Sequence, residues 1–81
     1  MSNEKIIKAV KQMREKVVCL TAKWNNATTR KEQDSADTAI RRVLKKFVAL
    51  NKEWVKNITV CPVEIREDYE FLLKEAWWYS L

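Results

Sequence analysis

Glycine is missing altogether from this 81-residue chain, histidine is missing too, and proline occurs once. Without glycine there is no residue that takes a positive φ at little steric cost or lets the backbone come close to a phosphate. Phosphate-cradling loops, dinucleotide-binding turns and nucleophile elbows are therefore excluded. Tight β-hairpins, whose two-residue turns favour Asn-Gly or Asp-Gly, are disfavoured for the same reason. Without histidine, the common catalytic dyads and triads lose the base that works near neutral pH. Cys19 and Cys61 form no CxxC pair and have no histidine to complete a four-ligand zinc site, so neither a metal nor a cofactor is expected. A disulfide between them is not expected either. In the fold argued below they lie near opposite ends of a helical hairpin, roughly 35 Å apart at 1.5 Å per residue, and a bridge needs Cα atoms within about 7 Å.

Long apolar runs are also lacking. Nothing approaches the roughly 20 residues that span a bilayer, and Met1-Ser2-Asn3-Glu4-Lys5 leads directly into an amphipathic pattern with no secretory core. The expectation is a cytoplasmic protein with no membrane span, in which Asn26-Ala27-Thr28 and Asn57-Ile58-Thr59 serve as loop chemistry and not as glycosylation sites. Carboxylates do gather late in the chain, at Glu64, Glu67, Asp68, Glu70 and Glu75. Acids spread along a helix form a solvated or ion-pairing face far more often than a catalytic pair. No catalytic residue is assigned, and the chain is read as a binding protein and not an enzyme.

What is present is helical periodicity. A hydrophobic fraction of 47% beside 33% charged residues is that of a folded domain. Ile6, Val10, Met13, Val17, Leu20 and Trp24 follow a 4-3-4-3-4 spacing, which puts all six on one stripe of a helix over about 3–25, with Asn3 as its cap. Thr29 followed three positions on by Glu32 is a capping-box pattern and opens a second helix over about 30–58. That helix repeats the spacing with Ala36, Ile40, Val43, Phe47, Leu50 and Trp54. It then adds a second apolar stripe through Leu44, Val48, Val55 and Ile58, with Asn51 as its one polar position. Two stripes imply two neighbours. Pro62 suits the first turn of a third helix, over about 62–80, whose seam is Ile65, Tyr69, Leu72, Ala76 and Tyr79. Short connections make successive helices antiparallel. The fold class is thus all-α, one domain over 1–81, with three antiparallel helices and a long central helix two. The alternative is a two-helix hairpin whose core helix three completes only by dimerisation.

Charge is distributed unevenly. Residues 1–58 hold fourteen Lys or Arg against six Asp or Glu, a balance of +8, and residues 59–81 hold two against five, a balance of −3, which together give the net +5. Opposite the first seam of helix two, Arg42, Lys45, Lys52 and Lys56 align with Thr38 and Ala49, with Arg41 at the edge and no acid in the row. Such a row can follow a nucleic-acid backbone or an acidic protein groove. It is equally what a solvated helix face in a basic protein looks like, with aliphatic lysine stems covering apolar flanks. Lys5, Lys8 and Lys11 add charge at the start of helix one. A surface-lying membrane helix is disfavoured, because the apolar stripes can satisfy one another within a bundle.

The aromatic residues point elsewhere. Four tryptophans occur. Trp24 and Trp54 fall in the seams and are expected to close the two ends of the bundle. From Phe71 to Leu81, however, helix three is apolar nearly all round, which one packed side cannot absorb. Phe71 and Trp78, with Trp77 at the edge, are therefore expected to contact another protein or a second copy, since exposed aromatics anchor interfaces. The opposing expectation is that the C-terminal turn folds back and buries both tryptophans. No family signature is present. In size, charge and helicity the chain resembles the small accessory proteins of phages and mobile elements, which implies stoichiometric binding of a protein partner as an inhibitor or adaptor. The alternative is a basic accessory protein that contacts RNA or DNA phosphates.

Overall fold

A computed structural model describes residues 3–57 and 63–81 of the chain. Among them are three α-helices, α1 (Asn3–Asn26), α2 (Arg30–Asn57) and α3 (Arg66–Trp78), with a 3-10 turn over Val63–Ile65 leading into α3. The longest dimension, 43 Å, is close to the roughly 42 Å that a helix of 28 residues should span at 1.5 Å per residue, so α2 sets the length of the molecule. No helix among the described residues is long and apolar enough to cross a membrane.

The α1–α2 turn is made without glycine by hydrogen bonding. The Ala27 N–H donates to the Trp24 carbonyl at 3.3 Å, and the Gln33 N–H donates to the Thr29 carbonyl at 3.2 Å as the first bond of α2. The Glu32 N–H donates to the Thr29 hydroxyl at 3.2 Å. The Glu32 carboxylate reaches back to the Thr28 N–H at 3.3 Å, one residue earlier than the usual closing bond of a capping box. Helix α1 already includes Asn3, which places its capping position outside the described residues.

Helix α3 differs from the expected run over about 62–80 at both ends. Its entry is the 3-10 turn, and its N-cap is Ile65, which has no side-chain oxygen to offer. That lost cap is offset by burial, since Ile65 is fully enclosed in the core, and by Glu67 and Asp68 in the first turn, where the helix dipole favours acids. Pro62 and Cys61 lie outside the described residues. At the other end the helix stops at Trp78 because Ser80 turns left-handed, φ 59°. The Leu81 N–H then donates to the Ala76 carbonyl at 2.9 Å and the Ser80 N–H to the Trp77 carbonyl at 3.0 Å. These are the two bonds of a Schellman ending, a position that glycine normally fills. A serine there carries the steric cost of its Cβ, about 1–2 kcal/mol. Ser80→Gly is accordingly expected to raise the melting temperature by a few degrees, as read by thermal circular dichroism; a drop would show that the turn does not form.

The helices run up, down and up. Asp68 on α3 lies level with Arg14 on α1, and Trp78 and Tyr79 lie level with Thr21 and Trp24, so α1 and α3 are parallel and both oppose α2. Ile6, Val10 and Val17 of α1, Ile40, Leu44 and Phe47 of α2, and Ile65, Leu72 and Ala76 form one buried cluster. The second stripe of α2 is therefore real: Leu44 is wholly buried and Val48 packs half-buried against the same cluster. Its polar member, Asn51, accepts a hydrogen bond from the Tyr69 hydroxyl at 2.6 Å, which joins α2 to α3. The side chains of Trp54, Val55 and Lys56, and all of Ile58, lie outside the described residues.

Candidate binding surface

Three surfaces meet around α3. On the α1 side, Phe71 is half-buried and packs on the core cluster, with the Arg14 guanidinium 5.3 Å above its ring. Arg14 also pairs with Asp68 at 2.7 Å, with the Asp68 side chain only 15% exposed. Spacing alone sets Phe71 beside Trp78 on an outward stripe. The two do share a flank, but at the level of Phe71 the flank faces a long arginine on α1, and one heptad higher it does not.

Trp77 and Trp78 are 81% and 75% exposed. The C-terminal turn does not fold back over them, because the Schellman ending directs Leu81 toward Ala76, into a shallow apolar groove of about 490 Å³ shared with Val48, Leu73 and Trp77. Leu73 and Leu81, at 39% and 37% exposed, extend the patch. Periodicity does not single out these two leucines, although Leu73 follows Leu72 off the seam and such an off-seam leucine is the available signal.

Trp24 is the clearest departure from expectation. It occupies a seam position yet is 42% exposed. Helix α3 ends beside it at the level of an open cleft, which leaves the indole partly in solvent. It borders a cleft of about 560 Å³ with Thr21, Glu75, Trp78 and Tyr79. At the floor of this cleft, Arg41 pairs with Asp37 at 3.0 Å and lies 5.2 Å above the Tyr79 ring. Partial burial pushes the Tyr79 hydroxyl above its usual range, helped by the nearby Asp37 charge, a hydrogen bond donated to Asp37 and the more distant Glu75. Tyr79 thus stays a neutral donor at physiological pH.

The basic row is divided by these contacts. Arg41 is committed to Asp37 and Tyr79 and faces α3. Arg42, Lys45 and Lys52 are exposed and have no ion-pair partner among the described residues. The Lys56 side chain lies outside the description. The acidic third helix does neutralise part of the hairpin's charge, through Asp68 and Arg14. No group of three or more metal-ligating side chains is assembled among the described residues. No family model matches the chain, and no curated protein or solved structure matches it either.

Proposed function

We propose that this chain is a small, cytoplasmic, non-enzymatic protein that binds another protein stoichiometrically, as an inhibitor or adaptor, through the C-terminal end of α3. The supporting observation is the pair of adjacent tryptophans, Trp77 and Trp78, at 81% and 75% exposure on a helix whose opposite face is already buried. Large aromatics left in water forgo on the order of 1.5–3 kcal/mol of burial each, and as interface anchors tryptophans contribute about 2 kcal/mol or more each. Interaction with a host component, as in phage accessory proteins, fits this mode of action.

The test is a complex isolated from the native host and mapped by photo-crosslinking from positions 77 and 78. Trp77→Ser combined with Trp78→Ser should leave helicity and melting close to wild type, since neither indole is buried, and weaken the complex by at least about a hundredfold. A double variant that binds as tightly as wild type removes the surface from consideration. Self-association through the same residues is a variant of this reading, read by sedimentation of the wild-type and double-variant proteins.

A nucleic-acid function is the second reading, favoured by the exposed row of Arg42, Lys45 and Lys52, which has no ion-pair partner among the described residues. Lys45→Glu with Lys52→Glu should then weaken RNA or DNA binding uniformly across sequences and reduce the salt slope by about 0.7–0.9 for each phosphate no longer neutralised. Absence of wild-type retention on nucleic acid at low ionic strength would leave those lysines as a solubilising face.

A further inference from the structure

Two arginines are held against α3 residues by the same arrangement. The Arg14 guanidinium lies 5.3 Å over the Phe71 ring and bonds the Asp68 carboxylate at 2.7 Å. The Arg41 guanidinium lies 5.2 Å over the Tyr79 ring and bonds Asp37 at 3.0 Å. Each is a planar cation placed between an aromatic face and a carboxylate, which satisfies stacking and charge together. The first unit then begins to repeat. Asp68 and Phe71 recur one heptad later as Glu75 and Trp78, with the same spacing. Because α1 and α3 run parallel, the α1 position one heptad beyond Arg14 is Thr21, which is too short and uncharged to play the arginine's part.

Thr21, Glu75 and Trp78 line the open cleft of about 560 Å³, with Trp24 on its α1 wall. The Glu75 carboxylate has no hydrogen-bond or ion-pair partner among the described residues. Trp78 and Trp24 are 75% and 42% exposed. An anion would meet Glu75 and Asp37 there, with Arg41 already committed. A purely apolar ligand would cover Glu75 without pairing it, which is costly.

We infer that this cleft receives an arginine side chain from the protein partner, its guanidinium stacked on Trp78 and paired with Glu75. The inference rests on the protein-binding reading above and adds the partner's chemistry: an exposed arginine within a segment that also meets Trp77. Arginine is favoured over lysine because the planar fork can stack and pair at once, as Arg14 and Arg41 do.

The probe is the tripeptide acetyl-Ala-Arg-Ala-amide, titrated into the full chain labelled for NMR, with its neutral citrulline counterpart as control. The indole N–H signals of Trp24 and Trp78 should shift saturably, with a dissociation constant on the order of millimolar, and the citrulline peptide should bind at least about tenfold more weakly. Glu75→Gln should remove that preference. Thr21→Arg supplies the missing cation from within. It should raise the melting temperature above that of Thr21→Gln, lose the rise when combined with Glu75→Gln, and block the peptide-induced shifts. Equal response to both peptides, or a Thr21→Arg gain that survives Glu75→Gln, would overturn the inference. Concentration-dependent shifts of the same two indoles without peptide would assign the slot to a second copy and overturn its assignment to another protein. A host complex that forms but ignores Glu75→Gln sinks this inference and leaves the protein-binding reading standing. Peptide binding without any host complex overturns the protein-binding reading, and with it the assignment of the arginine to a protein partner, and leaves only a guanidinium-selective cleft.

Discussion

Leu44→Asp is expected to leave the chain largely unfolded at room temperature, with the helical signal lost and no cooperative melt. Leu44 is fully buried, in a cluster that joins all three helices. The substitution forfeits about 1.5–3 kcal/mol of leucine burial and places a carboxylate within a cluster of buried hydrophobic side chains, at a further cost of several kcal/mol. Total stability of small domains lies near the lower end of about 5–15 kcal/mol, so the two losses together exhaust it. Val48→Asp, one turn along and only half-buried, keeps its carboxylate within reach of water and should cost about 1–3 kcal/mol while remaining folded. A Leu44→Asp protein that melts like wild type would mean that α3 does not cover this face of α2.

Phe47→Ala should be nearly as damaging, costing about 3–5 kcal/mol and lowering the melting temperature by at least roughly 12 °C for a domain of this size. Phe47 is 1% exposed and meets the edge of the Tyr69 ring at 5.7 Å and 65°. Removing it opens a cavity that rigid helices cannot collapse into and also takes away the surface that orients Tyr69. Tyr69→Phe separates the two effects. It keeps the ring contact and deprives the Asn51 carbonyl of its 2.6 Å donor, at about 1–3 kcal/mol. Urea titration of the three proteins gives the ordering, and a Phe47→Ala loss smaller than that of Tyr69→Phe would contradict it.

The helices, their order and the seams are legible in the sequence because each is a property of one segment. Spacing alone places Ile6, Val10 and Val17 on one stripe, Thr29 and Glu32 at a helix start, and Leu44 with Val48 on a second stripe. What spacing does not carry is the level at which one helix ends against another. Trp24 has the spacing of a core residue, yet it is exposed at the level where α3 stops, at Trp78. Phe71 and Trp78 share a flank of α3, yet only Phe71 meets an arginine on α1, because Arg14 gives way to Thr21 in the next heptad. Likewise, periodicity ranks Val43 and Val48 beside Leu44, whereas packing leaves both valines half-buried. By alignment alone Arg41 belongs to a free cationic row. Its commitment to Asp37 and Tyr79 depends on where α3 lies over α2, a pairwise fact absent from either segment alone.

The left-handed serine that ends α3 bears on the unfolded chain as well as on the folded one. A sequence with no glycine has a comparatively narrow denatured ensemble, because every backbone position carries a Cβ and loses less conformational entropy on folding than glycine would. That advantage belongs to the whole sequence, and among the described residues Ser80, φ 59°, is where the native geometry works against it. Replacing Ser80 by glycine relieves the steric term but widens the denatured ensemble at the same position. The net gain must therefore be smaller than the strain relieved. A chain that closes its α1–α2 turn with hydrogen-bonded threonine and glutamate and ends α3 on a serine can thus do without the residue best suited to turning at both places, because what it gives up in local comfort is largely returned by the disorder it never has to lose.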